Sequence, residues 1–251
     1  MVGPSNSILA WQRRARGSSL KRSDMAAGQH RPICLQACTG GAGIDGMHPG
    51  PDPAHMPRII AGLHRSRTLE SVSTEATRPY TDRVKESVFN ILRGHIEGNG
   101  VLDVFAGVGT MGLEAVSRGA SHVVLIEQDA RVHATLNRNI ELLDCQETAE
   151  AVRGDALSST PLLRAPRPLH VIFLDPPYAM MRDDRLRGRV LEQAAVLGAL
   201  LEPGGWLVLR SPLNPRDVEH PVDGLDGPEV RTYQKQHAVL FYTRVEDEVA
   251  S

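Results

Sequence analysis

The chain reads as an α/β protein with a mostly parallel sheet covered by helices on both faces, and three observations carry that reading. From Val101 onward, short apolar runs alternate with amphipathic stretches of helical period. The segment Asp103-Val104-Phe105-Ala106-Gly107-Val108-Gly109-Thr110-Met111-Gly112 sets G-x-G-x-x-G between a strand and a helix. The apolar run His170-Val171-Ile172-Phe173-Leu174 is stopped by Asp175-Pro176-Pro177-Tyr178, a rigid tetrapeptide delivered to a strand's C-terminal end. Sheets of this kind gather ligands at those ends.

The elements follow in order. Residues Met1 to His55 carry Arg13, Arg14, Arg16, Lys21, Arg22 and Arg31 against Asp24, Asp45 and Asp52, with frequent Gly, Pro and Ser. They read as a disordered tail or an upstream start, with an Arg/Ser-rich targeting segment as the sharper alternative. Met56 looks like the natural start of the folded part. Arg58-Ile59-Ile60-Ala61-Gly62 is basic and strand-prone. A helix from Thr81 to Ile96, capped by Thr81 or Asp82, buries Val84, Val88, Ile91, Leu92 and Ile96. Strands are expected at 101–105, 122–127, 149–153, 169–174 and 206–210, with a closing hairpin at 230–233 and 238–243. Helices are expected after the glycine loop to Arg118, from Asp129 along Val132, Leu136, Ile140 and Leu143, and from Leu186 to Leu201, where Glu202-Pro203-Gly204-Gly205 ends the last one. The organisation is thus a tail over 1–55, a basic strand and helix region over 56–98, an α/β domain over 99–244 and an acidic tail over 245–251.

Composition narrows the function. At 251 residues and net charge −2 the chain has no global basicity, so a nucleic-acid partner must be met by a local patch. The cysteines Cys34, Cys38 and Cys145 form no C-x-x-C, and the histidines lack ligand spacing, so neither a metal site nor a disulfide framework is expected. With no membrane-length apolar run and no secretory signal, a cytoplasmic monomer is the expectation. Trp206 and Cys145 read as packing residues.

The glycine loop alone fits a dinucleotide as well as S-adenosylmethionine, and so does Glu127, about twenty residues past Gly107 and placed for ribose hydroxyls. Asp103 separates them. A carboxylate near this loop repels a pyrophosphate but favours the cationic amino and sulfonium groups of S-adenosylmethionine. The cofactor candidates are Asp103, Ala106, Gly107, Gly109, Glu127, Gln128 and Asp155; Asp155 is placed for the adenine amino group, or is simply a loop cap.

Asp175-Pro176-Pro177-Tyr178 suits an exocyclic amino group on a flat base. Asp175 and the Pro176 carbonyl accept its protons and Tyr178 stacks on the ring, aiming the nitrogen lone pair at a methyl group. Asp175 also stabilises charge developing on nitrogen. The catalytic candidates are therefore Asp175, Pro176 and Tyr178.

At these residues the chain resembles the bacterial 16S ribosomal RNA guanine-N2 methyltransferases of the RsmD type. The resemblance is carried by Arg58-Ile59-Ile60-Ala61-Gly62, Arg65-Ser66-Arg67-Thr68-Leu69, Arg78-Pro79-Tyr80-Thr81-Asp82-Arg83-Val84-Lys85-Glu86, the glycine loop and the tetrapeptide, over Met56 to about Arg244. It implies a class I methyltransferase fold: a Rossmann-like, mostly parallel seven-stranded sheet with a C-terminal antiparallel hairpin and a small basic N-terminal extension. It also implies S-adenosylmethionine as donor and a guanine 2-amino group of 16S RNA, free or in a small-subunit assembly particle, as acceptor. Ser66 stands where the family usually has glycine, and Tyr80 where it usually has threonine; both fall in the expected RNA-facing region.

Arg58, Arg65, Arg67, Arg78, Arg83 and Lys85 are the RNA-binding candidates, with a solvated face ion-paired to Glu70, Glu75, Asp82 and Glu86 as the alternative. Three rivals remain at this stage: a DNA adenine-N6 or cytosine-N4 methyltransferase, a NAD-dependent oxidoreductase, and a non-catalytic RNA-binding assembly factor.

Overall fold

The apolar runs become the strands of a single sheet. They are β1 (Gly100–Asp103), β2 (His122–Glu127), β3 (Ala149–Arg153), β4 (Leu169–Leu174), β5 (Leu201–Ser211), β6 (Asp226–Tyr233) and β7 (His237–Thr243). The computed structural model describes residues 56–72, 80–233 and 237–244. Both expected tails, Glu75 and Arg78 lie outside those residues. The strand order is β3-β2-β1-β4-β5-β7-β6. The first five strands in that order are parallel, and β7 runs antiparallel between β5 and β6. This is the class I methyltransferase fold that the sequence implied.

Each strand alternates between two cores. Val101, Val123, Leu125, Val171, Phe173 and Val208 face one side, with Val88, Phe89, Leu113 and Leu136. Leu102, Val124, Ile126, Ile172, Leu174 and Leu207 face the other, with Met181, Val190, Ala194 and Leu197. A side chain of this size contributes about 1.5–3 kcal/mol when fully buried. Residues buried on both faces of a strand explain why the runs are continuous rather than alternating.

The helices are α1 (Asp82–Ile91), α2 (Gly112–Ser117), α3 (Ala130–Leu142), α4 (Thr160–Arg164), α5 (Tyr178–Arg182) and α6 (Asp184–Gly198). Thr81, Asp129 and Asp183 cap α1, α3 and α6 with side-chain oxygens. α1 is shorter than expected: it ends at Ile91, and His95 and Ile96 continue in turns. The short α4 and α5 carry too few residues to show a period, and the sequence did not announce them. Glu202-Pro203-Gly204-Gly205 also departs from expectation. It lies inside β5, where pairing jumps from Leu169↔Leu201 to Val171↔Trp206 and the extra residues bulge outward. Trp206 is half-buried against Phe241, and Cys145 is buried, as expected of packing residues.

The N-terminal segment is fastened by one buried carboxylate. Glu114 of α2 is fully buried and accepts from Ile60 N at 2.8 Å, Ala61 N at 3.1 Å and Arg118 Nε at 2.8 Å. Lys85 Nζ sits 3.4 Å from the same carboxylate and donates to the Arg58 carbonyl. This corrects the expectation that Lys85 meets RNA. It is 1% exposed, facing inward beside Phe89 on the core side of α1. Burial lowers its pKa, and Glu114 opposes that shift. Glu114→Gln leaves a buried ammonium without its counter-charge and is expected to cost about 3–5 kcal/mol in urea unfolding. The pair Lys85→Met/Glu114→Gln should recover part of that loss; equal losses in both variants would contradict the coupling.

Candidate active site

The parallel register brings the carboxyl ends of the strands to a common edge. Asp103 pairs with Leu125 and with Phe173, so Glu127 and Asp175 each lie two residues beyond Asp103's neighbours. Leu174 pairs with Leu209, which puts Arg210 beside Asp175. Chain order reverses between β1 and β4, and this switch point is where sheets of this class open a crevice. A cavity of about 430 Å3 lies there, lined among others by Phe105, Gly107, Ile126, Glu127, Gln128, Val132, Asp155, Asp175, Pro177 and Met180.

Of the expected cofactor residues, Gly107, Glu127, Gln128 and Asp155 line this cavity, whereas Asp103, Ala106 and Gly109 are not part of its lining. Gly107 has φ +55, and the space where a side chain would stand is open. Gly109 has φ +93, and a Cβ there would come within 2.7 Å of Leu113 and Leu136 methyl carbons. It packs closely on α2 and α3. Glu127 accepts from Gly107 N at 3.0 Å and from Asp129 N at 2.7 Å, tying the glycine loop to the start of α3. Asp155 lines the cavity, and its Oδ1 accepts from Leu157 N at 2.9 Å, the bond expected of a loop cap.

Asp103 is buried, and its Oδ2 accepts from Gly112 N at 2.9 Å. It thus acts on the cavity through the glycine loop and through its charge. Burial raises its pKa to about 7 against the Gly112 bond, and the charges of Asp175 and Glu127 add to the rise. A cationic ligand nearby relieves that strain.

The tetrapeptide is held from behind. Asp175 Oδ2 accepts from Arg210 Nη1 at 3.0 Å, and Tyr178 Oη accepts from Arg210 Nη2 at 2.6 Å. Asp175 Oδ1 is buried with no hydrogen-bond partner among the described residues. Burial raises the Asp175 pKa, and Arg210 opposes the rise. Pro176 is buried; Tyr178, the first residue of α5, is half-buried beside the cavity. Arg210 was missed in the sequence. The available signal was a charged residue inside the apolar run Trp206-Leu207-Val208-Leu209-Arg210, which demands a partner.

Among the RNA-binding candidates, Arg58, Arg65, Arg67 and Arg83 are exposed. Arg58 pairs with Asp82 at 2.6 Å, while Arg65, Arg67 and Arg83 make no ion pair with a described residue. Ser66 has φ +69, a left-handed conformation that glycine adopts more readily. Tyr80 is 8% exposed, and its ring lies 4.4 Å from the Arg210 guanidinium carbon. It therefore belongs to the buried surroundings of Asp175 and not to an RNA-facing surface, because its ring packs on that cation.

A switch-point cavity ringed by carboxylates and closed by Asp-Pro-Pro-Tyr, on this sheet, defines a class I S-adenosylmethionine-dependent methyltransferase. Comparison with known proteins narrows the class. A family profile described as conserved hypothetical protein 95 matches residues 57–241. The chain is 42% identical over 122 residues to ribosomal RNA small subunit methyltransferase D of Haemophilus influenzae, covering 48% of this chain and 63% of that relative. It is 39% identical over 150 residues to the Escherichia coli K12 protein of the same name, covering 60% and 69%. The solved structure of Escherichia coli yhhF superposes with a TM-score of 0.62 at 29% identity, over 76% of this chain and 98% of that one. The chain belongs to this family, the RsmD type.

The raised pKa of Asp103 has a consequence for stability. Between its ordinary value of 3.8 and about 7, the folded protein keeps a proton that the unfolded chain has released. The stability this supplies is complete below the lower value and is lost as pH rises through about 7. Asp103→Asn keeps an acceptor for Gly112 N but removes the titration. The fall in melting temperature across this window should become shallower in the cofactor-free variant; an unchanged slope would rule out Asp103 as its source.

Proposed function

We propose that the protein transfers a methyl group from S-adenosylmethionine to the exocyclic N2 amino group of a specific guanine in 16S ribosomal RNA. The observation that carries this is the Asp175 carboxyl: one oxygen is fixed by Arg210, and the other is buried and without a partner among the described residues. A buried acceptor left unsatisfied is costly, and an amino N–H supplies what it lacks. The names of the relatives support ribosomal RNA as acceptor.

The cavity's chemistry fits the cofactor. Glu127 and Asp155 offer carboxylates for ribose hydroxyls and the adenine amino group, and Phe105, Ile126, Val132 and Met180 give apolar surface for a base. Gly107 keeps the backbone clear, and the Asp103 charge favours a cationic methionine end. S-adenosylmethionine, when bound, supplies an electrophilic methyl group. Asp175 accepts a hydrogen bond from one amino N–H of the guanine and the Pro176 carbonyl accepts one from the other, which turns the nitrogen lone pair towards the methyl group. Tyr178 stacks on the base and keeps its plane fixed. Asp175 balances the positive charge that grows on nitrogen and would take the proton that nitrogen sheds once the methyl has moved, with S-adenosylhomocysteine as the leaving product. Positioning supplies most of the acceleration.

The exposed Arg65, Arg67 and Arg83, joined by Arg58, supply phosphate contacts. The acceptor is 16S RNA, free or in a small-subunit assembly particle, and the enzyme works as a cytoplasmic monomer. Among the described residues, no helix is long and apolar enough to cross a membrane.

Asp175→Asn tests the assignment. The amide oxygen still accepts from Arg210, so its NH2 group is left facing the guanine amine, donor against donor. Methyl transfer should fall at least about a hundredfold, with S-adenosylmethionine affinity by calorimetry unchanged; near-normal turnover would refute the role. Replacing Arg65 and Arg67 by Gln should weaken RNA binding and lower the log–log salt slope by about 0.7–0.9 for each phosphate that is no longer neutralised. An unchanged affinity and slope would place the RNA elsewhere.

A further inference from the structure

We propose that Arg210 is a positioning residue for methyl transfer, holding the Asp175 carboxyl and the Tyr178 ring in one fixed arrangement through a single buried guanidinium. The inference rests on the amino-methylation assigned above and deepens it.

Arg210 is 3% exposed on β5, in register beside the end of β4. Its Nη1 donates to Asp175 Oδ2 at 3.0 Å and its Nη2 to Tyr178 Oη at 2.6 Å. Its guanidinium carbon lies 4.4 Å from the Tyr80 ring centroid and 5.3 Å from that of Tyr178. A planar cation with two donors fixed in one fork sets the spacing between the carboxylate and the phenol. With Oδ2 occupied, the carboxyl cannot turn freely, and Oδ1 is the oxygen left for an amine. Tyr178, tethered at its hydroxyl, keeps one ring plane. The two groups that must grip one base from its edge and its face are therefore locked to each other. The ring of Tyr80 covers the guanidinium.

The charge of Arg210 also matters. Asp175 faces Arg210 from β5, Tyr178 from α5, Tyr80 from the segment before α1, and Asp103 from β1. Burial favours the protonated form of Asp175, and a protonated carboxyl is a poorer acceptor for an amine. Arg210 is the cation among these groups and opposes that protonation.

The test uses the full chain with Arg210→Gln and Arg210→Lys. In the Gln variant, kcat should fall about a hundredfold, with KM for RNA and the S-adenosylmethionine Kd little changed. The acid limb of its kcat–pH profile should move up by about one unit. The Lys variant keeps the charge but not the fork, so it should restore the acid limb and leave kcat low. A second readout needs no turnover: the 13C titration of the Asp175 carboxyl in cofactor-free protein should move upward in Arg210→Gln and return in Arg210→Lys. Wild-type kcat in the Gln variant, or an Asp175 titration that does not move, would overturn the proposal. If the wild type itself transfers no methyl group to RNA, the function assignment fails, while the Asp175 titration still decides whether Arg210 governs that carboxyl. Should the Gln variant not fold, a Lys variant with wild-type kcat per folded molecule overturns the proposal alone.

Discussion

Four carboxylates converge on one edge of the sheet, and the loops of the site are shaped by the groups that must hold them. Asp103 binds the amide of Gly112, Glu127 those of Gly107 and Asp129, Asp155 that of Leu157, and Asp175 the guanidinium of Arg210. Asp103 and Asp175 are withdrawn from water and need such partners, since desolvation without them costs several kcal/mol, whereas Glu127 is half-buried and Asp155 exposed. Together these bonds fix the glycine loop over β1, start α3, close the turn after β3 and set the tetrapeptide.

The same charges explain which ligand suits the site. Asp103 is pushed up to about 7 because its neighbours Asp175 and Glu127 add to its burial, so the arrangement of carboxylates is electrostatically strained. A cation relieves it and an added anion worsens it, which separates a sulfonium donor from a dinucleotide phosphate on this fold. At the tetrapeptide, Arg210 occupies Asp175 Oδ2 and leaves Oδ1 without a partner among the described residues. Away from the edge, Glu114 does for the N-terminal segment what these carboxylates do for the loops. It gathers Lys85, Arg118 and the amides of Ile60 and Ala61, and so presents the chain carrying Arg58, Arg65 and Arg67.

Much of this was legible in the sequence, for physical reasons that can be named. Continuous apolar runs gave β2 and β4 to the residue, because a strand buried on both faces tolerates little else, while β3, a half-exposed edge strand, carries a weaker signal. The proline stop after Leu174 located the tetrapeptide, and Thr81 and Asp129 announced their helices as caps. What escaped depends on contacts between distant segments. Lys85 lies on the helix face that packs on α2, and only tertiary pairing with Glu114 distinguishes it from an exposed basic residue. Tyr80 and Arg210 lie far apart in sequence yet stack in the fold. Gly109 carried the motif's expected signature, but the neighbours that require it are leucines of two helices. A β-bulge such as that at Glu202–Gly205 mimics a helix-ending turn, since Pro and Gly serve both.

The central claim is that this edge of the sheet methylates the 2-amino group of guanine in small-subunit RNA. Incubation of 16S RNA, free and in assembly particles, with labelled S-adenosylmethionine, followed by mass mapping of the modified nucleotide, tests it most directly. The account predicts N2-methylguanine at a single site. Label in double-stranded DNA with none in RNA, or a methyl group on another atom of the RNA, would contradict it.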